Sequence, residues 1–303
     1  MTSDDKDQLR DEAPPQDRSR RDFVALSAAV GIAATAGTAS AASMKVVERH
    51  VNVTTPDGTC DAVFLHPATG KHPGVLVWTD IFGLRPTFVA LGRRLAGNGY
   101  SVLVPNPFYR TSKSPIFTES AISSFNFRDP AARAKMQQIV GPVSAPGAFD
   151  RDAMAHIAFL DAQQQVDTSK KIGTQGYCFG GPPVFHTCAI APDRVGAGAT
   201  FHGGGLVTKA PDSPHLLIPK IKARMYIAIA ASDDKTQPDA KDILRKAFAD
   251  ANVQAEVVVY QGMQHGWTVP DMPHQPDGKP IYNKMEAERA WSKLQQLYSA
   301  TLA

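Results

Sequence analysis

The chain runs to 303 residues, room for one large α/β domain with a sizeable core or for two smaller domains. With 43% hydrophobic and 20% charged residues, it has the composition of an ordinary globular protein. The formal net charge is only +3, and no lysine- or arginine-rich run stands beyond the first residues. That excludes the electrostatic footprint of a nucleic-acid-binding protein.

The first 22 residues are polar and charged and lead into Ser19-Arg20-Arg21-Asp22-Phe23-Val24-Ala25-Leu26. An uncharged run of small and apolar residues follows from Phe23 to Ala42, with the small-x-small triplet Ala39-Ser40-Ala41 near its end. The arginine pair, the nearby Phe23 and the weakly hydrophobic core resemble a bacterial twin-arginine signal. This predicts a signal peptide over 1–41 and a mature domain over 42–303, exported to the periplasm by the twin-arginine machinery. A membrane anchor and a disordered tail with a chance arginine pair are the alternatives. An Ala-, Gly- and Thr-rich run makes a weak span, however, and charge, core and cleavage site fall in the order a signal needs. No stable span is expected in the mature chain. The three cysteines, Cys60, Cys178 and Cys188, are odd in number and include no C-x-x-C pair, so neither a disulfide framework nor a zinc site is indicated. The twin-arginine route, as the resemblance implies, carries folded proteins. A reactive thiol would then reach its pocket before meeting an oxidising compartment.

From Lys45 the pattern is of strands. Glu48–Thr54 and Cys60–Leu65 alternate around the turn Pro56-Asp57-Gly58, predicting a hairpin. Gly74–Trp78 is a continuous apolar run, as a buried parallel strand requires. Phe88–Gly97 has helical spacing and ends at Asn98-Gly99, and Tyr100–Pro105 is the next strand. Residues 106–147 are irregular and proline-rich, with a helical patch near Ala131–Ile139; insertions after a strand often cover active sites. Asp150–Gln164 is predicted helical and Lys171–Thr174 a short strand. Strands at Val195–Phe201, Ala223–Ala230 and Ala255–Tyr260 alternate with a helix at Ala240–Ala251, and a last helix covers about Tyr282–Ala300. Such alternation predicts a single α/β domain, a mostly parallel sheet with an N-terminal hairpin and helices on both faces.

The strongest chemical signal is Gly176-Tyr177-Cys178-Phe179-Gly180-Gly181, between a strand and the apolar segment Val184–Ile190. With serine in place of cysteine this is the G-x-S-x-G nucleophile elbow, a strained strand-to-helix turn whose glycines let strand and helix approach. Pro182 and Pro183 suit a first helical turn, and a helix N-terminus favours a thiolate. A buried structural cysteine in a Gly-rich turn is the alternative. In this fold an acid and then a histidine follow the nucleophile. Asp233-Asp234 after Ala223–Ala230, and His265 after Ala255–Tyr260, stand in that order at the carboxyl ends of strands, where such sheets place their reactive groups.

The segments Trp78-Thr79-Asp80-Ile81-Phe82-Gly83-Leu84, Gly99-Tyr100 with Pro105, Gly176–Gly181, Asp234 with Pro238, and His265-Gly266-Trp267 resemble the dienelactone hydrolase family over about Val46 to Leu297. The resemblance implies a single-domain α/β-hydrolase with Cys178 as nucleophile, His265 as general base and acid, and Asp234 orienting it. Asp234 is preferred to Asp233 because the family's acid lies four residues before a proline, here Pro238. The oxyanion hole is expected from the backbone N–H groups of Ile81 and Phe179, and the substrate is expected to be an ester or lactone cleaved through an acyl-enzyme. Asp80 replaces the family glutamate that helps to activate the thiol. Arg110 matches a family arginine and is a candidate for substrate binding, beside the alternative of an ion-paired surface role. Val269 replaces the arginine that clamps a substrate carboxylate, so a neutral ester or lactone is expected to be favoured unless Arg110 or Arg128 restores the clamp. His202, at another strand end, is expected to border the pocket behind the catalytic residues. No metal or organic cofactor is expected, since the nine histidines show no H-x-x-x-H spacing. A general carboxylesterase or thioesterase, and a catalytically idle ligand-binding α/β-hydrolase, are the competing functions.

Overall fold

The computed structural model describes residues 44–302; the expected signal peptide over 1–41 lies outside them. Eight strands form one sheet: β1 (Val46–Thr55), β2 (Gly58–Pro67), β3 (Gly74–Trp78), β4 (Ser101–Pro105), β5 (Ile172–Tyr177), β6 (Val195–Phe201), β7 (Arg224–Ala230) and β8 (Ala255–Tyr260). Their spatial order is β1-β2-β4-β3-β5-β6-β7-β8. The hairpin β1–β2 is antiparallel, β2 pairs antiparallel with β4, and every pair from β4 to β8 is parallel.

Both faces are covered, and the strand sequences say why. Successive residues of β3 point to opposite sides. Val75 and Val77 join an apolar cluster with Phe88 and Leu95 of α1 (Pro86–Gly97). Leu76 and Trp78 join a second cluster with Ile157 and Leu160 from the helix at Ala148–Asp161 and with Val184 and Phe185 from the one at Gly181–Ile190. A strand clothed on both sides has no polar face, hence the unbroken apolar run. The insertion folds into α2 (Glu119–Ser123) and α3 (Pro130–Val140), each started by a side-chain cap, Thr118 and Asp129 respectively. The remaining helices are α4 (Ala148–Asp161), α5 (Gly181–Ile190), α6 (Ala231–Thr236), α7 (Ala240–Asp250) and α8 (Lys284–Thr301). Among the described residues, no helix is long and apolar enough to cross a membrane.

The structure departs from the sequence pattern mainly at element ends. Strand β5 runs three residues further than expected, to Tyr177, because its polar Thr174 and Gln175 are wholly buried. The Gln175 amide donates to the Tyr177 hydroxyl at 2.7 Å, and the Tyr298 hydroxyl of α8 donates to the Gln175 carbonyl at 3.1 Å. Buried polar groups satisfied in this way are invisible to hydropathy. The Asp233-Asp234 segment, directly after β7, lies in the short helix α6.

Candidate active site

Strand β5 delivers Cys178 into the left-handed region, at φ +52°, and the chain then turns through Cys178–Gly180 into α5. Few L-residues accept such a backbone, and strain of this kind persists where its surroundings enforce it. Here they do. A Cβ on Gly176 would lie 2.5 Å from the Gly180 carbonyl carbon and nearer still to its oxygen, and one on Gly180 would lie 2.5 Å from the Trp78 oxygen. The obstacles are backbone atoms and cannot swing away, so the two glycines are sterically required. Cys178 is partly exposed while Cys60 and Cys188 are buried, and burial pushes both of those thiols far up from their ordinary range.

His265 follows β8 and is fixed from α6. Its backbone N–H donates to the Ser232 hydroxyl at 2.8 Å, and its Nδ1 lies 2.9 Å from Asp233 Oδ2. The orienting carboxylate is therefore Asp233, which corrects the expectation for Asp234. Consecutive residues of a helix diverge by about 100°, so only one of the two can face the ring. Asp234 faces α7, where its Oδ1 accepts from Lys241 Nζ at 2.8 Å. Burial acts to lower the His265 pKa, but the adjacent Cys178 sulfur and the Asp233 carboxylate outweigh it and hold the imidazole well above its ordinary range.

His202 lies behind this pair. It has φ +43°, is fully buried, and packs edge-on against the His265 ring with centroids 5.0 Å apart. Its Nε2 is 2.8 Å from the Thr268 hydroxyl. Burial, helped by the neighbouring His265, keeps it well below the usual histidine range, so it meets His265 as a neutral ring.

Three other sequence expectations need revision. Asp80 is committed to Arg85 and to its own loop: both of its oxygens are taken by Arg85, at 2.7 and 2.9 Å, and Oδ1 also accepts the Phe82 N–H at 2.9 Å. Arg85, almost wholly buried, reaches Asp271 as well, at 2.7 and 2.8 Å. Burial pushes the Asp80 carboxyl up in spite of the guanidinium beside it. Arg110 is likewise occupied. It is bidentate on Asp152, at 2.7 and 2.8 Å, and contacts Asp57, so it ties the β1–β2 turn to α4 and is not on the wall of the cavity that holds Cys178. Val269 is fully buried in the core, since the turn begun at Gly266 (φ +99°) directs Trp267 and Val269 inward.

Cys178 and His265 sit at the floor of a cavity of about 520 Å³ whose walls include Ile81, Phe125, Phe127 and Met272. Ile81, in the loop after β3, lines the same cavity as Cys178, and Phe179, the other expected oxyanion donor, follows Cys178 in the chain. Arg128 also borders the cavity, and its side chain is exposed. A second cavity of about 280 Å³ lies on the far side of His265, beside Asp233, Asp234 and Lys241. Among the described residues, no three His, Cys, Asp or Glu side chains gather as a metal site requires. Sequence reasoning missed Arg85, Asp271 and the aromatic wall. Arg85 and Asp271 are 186 positions apart and carry no local signal, whereas Phe117, Phe125 and Phe127 in a cover segment were a usable hint.

The sequence model of the Dienelactone hydrolase family matches residues 60–302. A carboxymethylenebutenolidase of Rhodococcus opacus is 28% identical over 223 residues, covering 71% of this chain and 81% of its own. Among solved structures, m3DLH superposes with a TM-score of 0.69 at 22% identity, covering 85% of this chain and 99% of its own. A dienelactone hydrolase-like promiscuous phosphotriesterase from metagenomic libraries, P91, gives 0.68 at 24% identity with the same coverage. The structural likenesses speak for the fold.

The geometry sets an order of dependence that NMR titration of the histidine ring protons checks. In the wild type His265 is expected to keep its proton above the pH at which an unperturbed imidazole loses it, near 6.5. Asp233→Asn and Cys178→Ala should each lower its pKa, because each removes a group that favours the charged ring. Asp234→Asn should leave it in place. A shift in Asp234→Asn with none in Asp233→Asn would reverse the assignment.

Proposed function

The chain belongs to the dienelactone hydrolase family and is a carboxylic ester hydrolase, and on that premise we propose that it cleaves esters or lactones through Cys178, His265 and Asp233. The observation that carries this is the placement of His265 between the strained Cys178 and the Asp233 carboxylate, at the floor of a cavity. His265, beside Cys178, is placed to take up the thiol proton, and a thiolate is the form of cysteine that attacks.

The thiolate attacks the ester carbonyl carbon, and the electron pair of the C=O bond moves to oxygen. The backbone N–H groups of Ile81 and Phe179 receive that oxyanion. Phe82, next to Ile81, is pinned by Asp80, which fixes the loop that must present the Ile81 donor. Collapse breaks the ester C–O bond, and the leaving oxygen takes the proton from His265, which leaves a thioester on Cys178. Neutral His265 then deprotonates a water molecule that attacks the thioester. The second collapse releases the carboxylic acid and restores the thiolate, with His265 protonated again. Asp233 holds Nδ1, which leaves Nε2 as the nitrogen that exchanges the proton with the sulfur. With both oxygens on Arg85, Asp80 serves the loop and not the thiol.

Export belongs to the same proposal. The arginine pair Arg20-Arg21 and the Ala39-Ser40-Ala41 triplet support a periplasmic enzyme delivered by the twin-arginine route.

Cys178→Ala should lower kcat/KM for a simple ester by on the order of 10⁴-fold or more, and Asp233→Asn by roughly 10³–10⁴-fold. Cys60→Ala, Cys188→Ala and Asp234→Asn should keep most of the activity. Steady-state assays of the purified chain decide this, and full activity in Cys178→Ala would overturn the mechanism. For export, intact-mass measurement on protein from native cells should give a chain that begins close to Ala42, with precursor accumulating in the cytoplasm when both arginines are replaced by lysine. Soluble full-length protein from the native compartment would refute it.

A further inference from the structure

The wall above Cys178 is aromatic, and its chemistry narrows the substrate. Phe125 and Phe127 line the cavity with their rings 4.7 Å apart. Both pack on Phe82, at 5.3 and 5.9 Å between centroids, and Phe117 closes the group edge-on to Phe82 at 5.6 Å. Phe82 is fully buried and hydrogen-bonded to Asp80, so the aromatic wall is built directly onto the loop that carries Ile81. Phe127 is nevertheless 45% exposed. A phenylalanine partly open to water in the wall of the cavity that holds Cys178 leaves apolar surface free for a ligand. The opposite wall, from the segment after Val269, adds Met272, Pro273 and Ile281. A polarizable thioether and two aromatic rings packed edge to face in one cavity wall suit an aromatic body.

Size and charge point the same way. An apolar cavity of about 150 Å³ accepts benzene, and the space here is about 520 Å³, enough for a two-ring group with the ester at the floor. Arg128 is the cation on this wall, but its side chain is solvent-exposed, where water screens an ion pair and its gain is small. Val269 and Arg110 are committed elsewhere. The apolar wall therefore outweighs the charge.

We propose that the cavity selects neutral esters or lactones with a bulky aromatic acyl part, seated between Phe125, Phe127 and Met272, an inference that rests on the ester-hydrolase reading above. The test compares kcat/KM of the purified chain for three substrates that share one leaving group: 4-nitrophenyl propanoate, 4-nitrophenyl 3-(2-naphthyl)propanoate and the ring-carboxylated form of the latter. The naphthyl ester should exceed the propanoate by roughly ten- to a hundredfold, the span expected from burying one large apolar group. The ring carboxylate should bring no gain. In Phe125→Ala/Phe127→Ala the naphthyl-to-propanoate ratio should fall toward one. Because the ratio is read within each protein, a general loss of folded material cancels, and the single Phe127→Leu change gives a milder version of the same shift. Equal rates on the two neutral esters, or a strong preference for the carboxylated one, would overturn the proposal while leaving the hydrolase reading intact. Hydrolysis of none of the three would overturn that reading, and this proposal with it.

Discussion

The carbonyl of Gly180 lies so close to Gly176 that Gly176 has no room for a side chain, and this contact organises the rest of the site. It forces strand β5 to turn sharply into α5, which leaves Cys178 at φ +52° on the outside of the bend. Gly180 is in turn pressed against the Trp78 carbonyl at the end of β3. The Cys178 loop and the loop that begins at Thr79 are thus fixed to one another through backbone contacts. Strain at Cys178 costs stability, and the packed sheet beneath it supplies the constraint that keeps it. The carboxyl ends of β3, β5 and β8 consequently present Ile81, Cys178 and His265 around one space, with Asp233 behind His265 at the end of β7.

Electrostatics then distinguishes the histidines. His265 touches a sulfur and a carboxylate and is drawn toward the charged form; His202, fully buried with one hydroxyl partner, is held neutral. A second cation behind His265 would repel its proton, so the neutrality of His202 is part of what keeps His265 basic. In the ion triad Asp80–Arg85–Asp271 both carboxylates are held by the one guanidinium. It joins the loop after β3 to the segment after His265, and the two together frame the cavity. Arg85 brings one positive charge to two carboxylates, and it carries five well-placed donors into a nearly dry site, which a lysine could not match.

The parts of the architecture that depend on short-range constraint were legible in the sequence. The unbroken run Gly74–Trp78 marked a strand covered on both faces, and Gly176–Gly181 marked the elbow, because each reflects local backbone and burial rules. His265 could be placed from its position at a strand end. The choice between Asp233 and Asp234 could not be made that way. It depends on the rotation of α6 about its own axis, and the spacing to Pro238 pointed to the residue that pairs with Lys241 instead. Asp80, Arg110 and Val269 were misplaced for a related reason. Their partners, or the core they enter, come from other parts of the chain: Arg85 and Asp271 for Asp80, Asp152 for Arg110, and the core packing of Trp267 and Val269. The end of β5 was hidden by its buried Gln175, which is held by Tyr177 of the same strand and by Tyr298 of α8.

The central claim, that Cys178 carries the acyl group, is open to direct measurement. Turnover of a slowly deacylating ester is quenched in acid, and the chain is weighed intact and then mapped by peptide mass spectrometry. The predicted result is one acyl group per chain, on the peptide that contains Cys178, appearing and decaying at rates that account for turnover. Continued hydrolysis with Cys178 unmodified, or an acyl group on another residue at a competent rate, would contradict it.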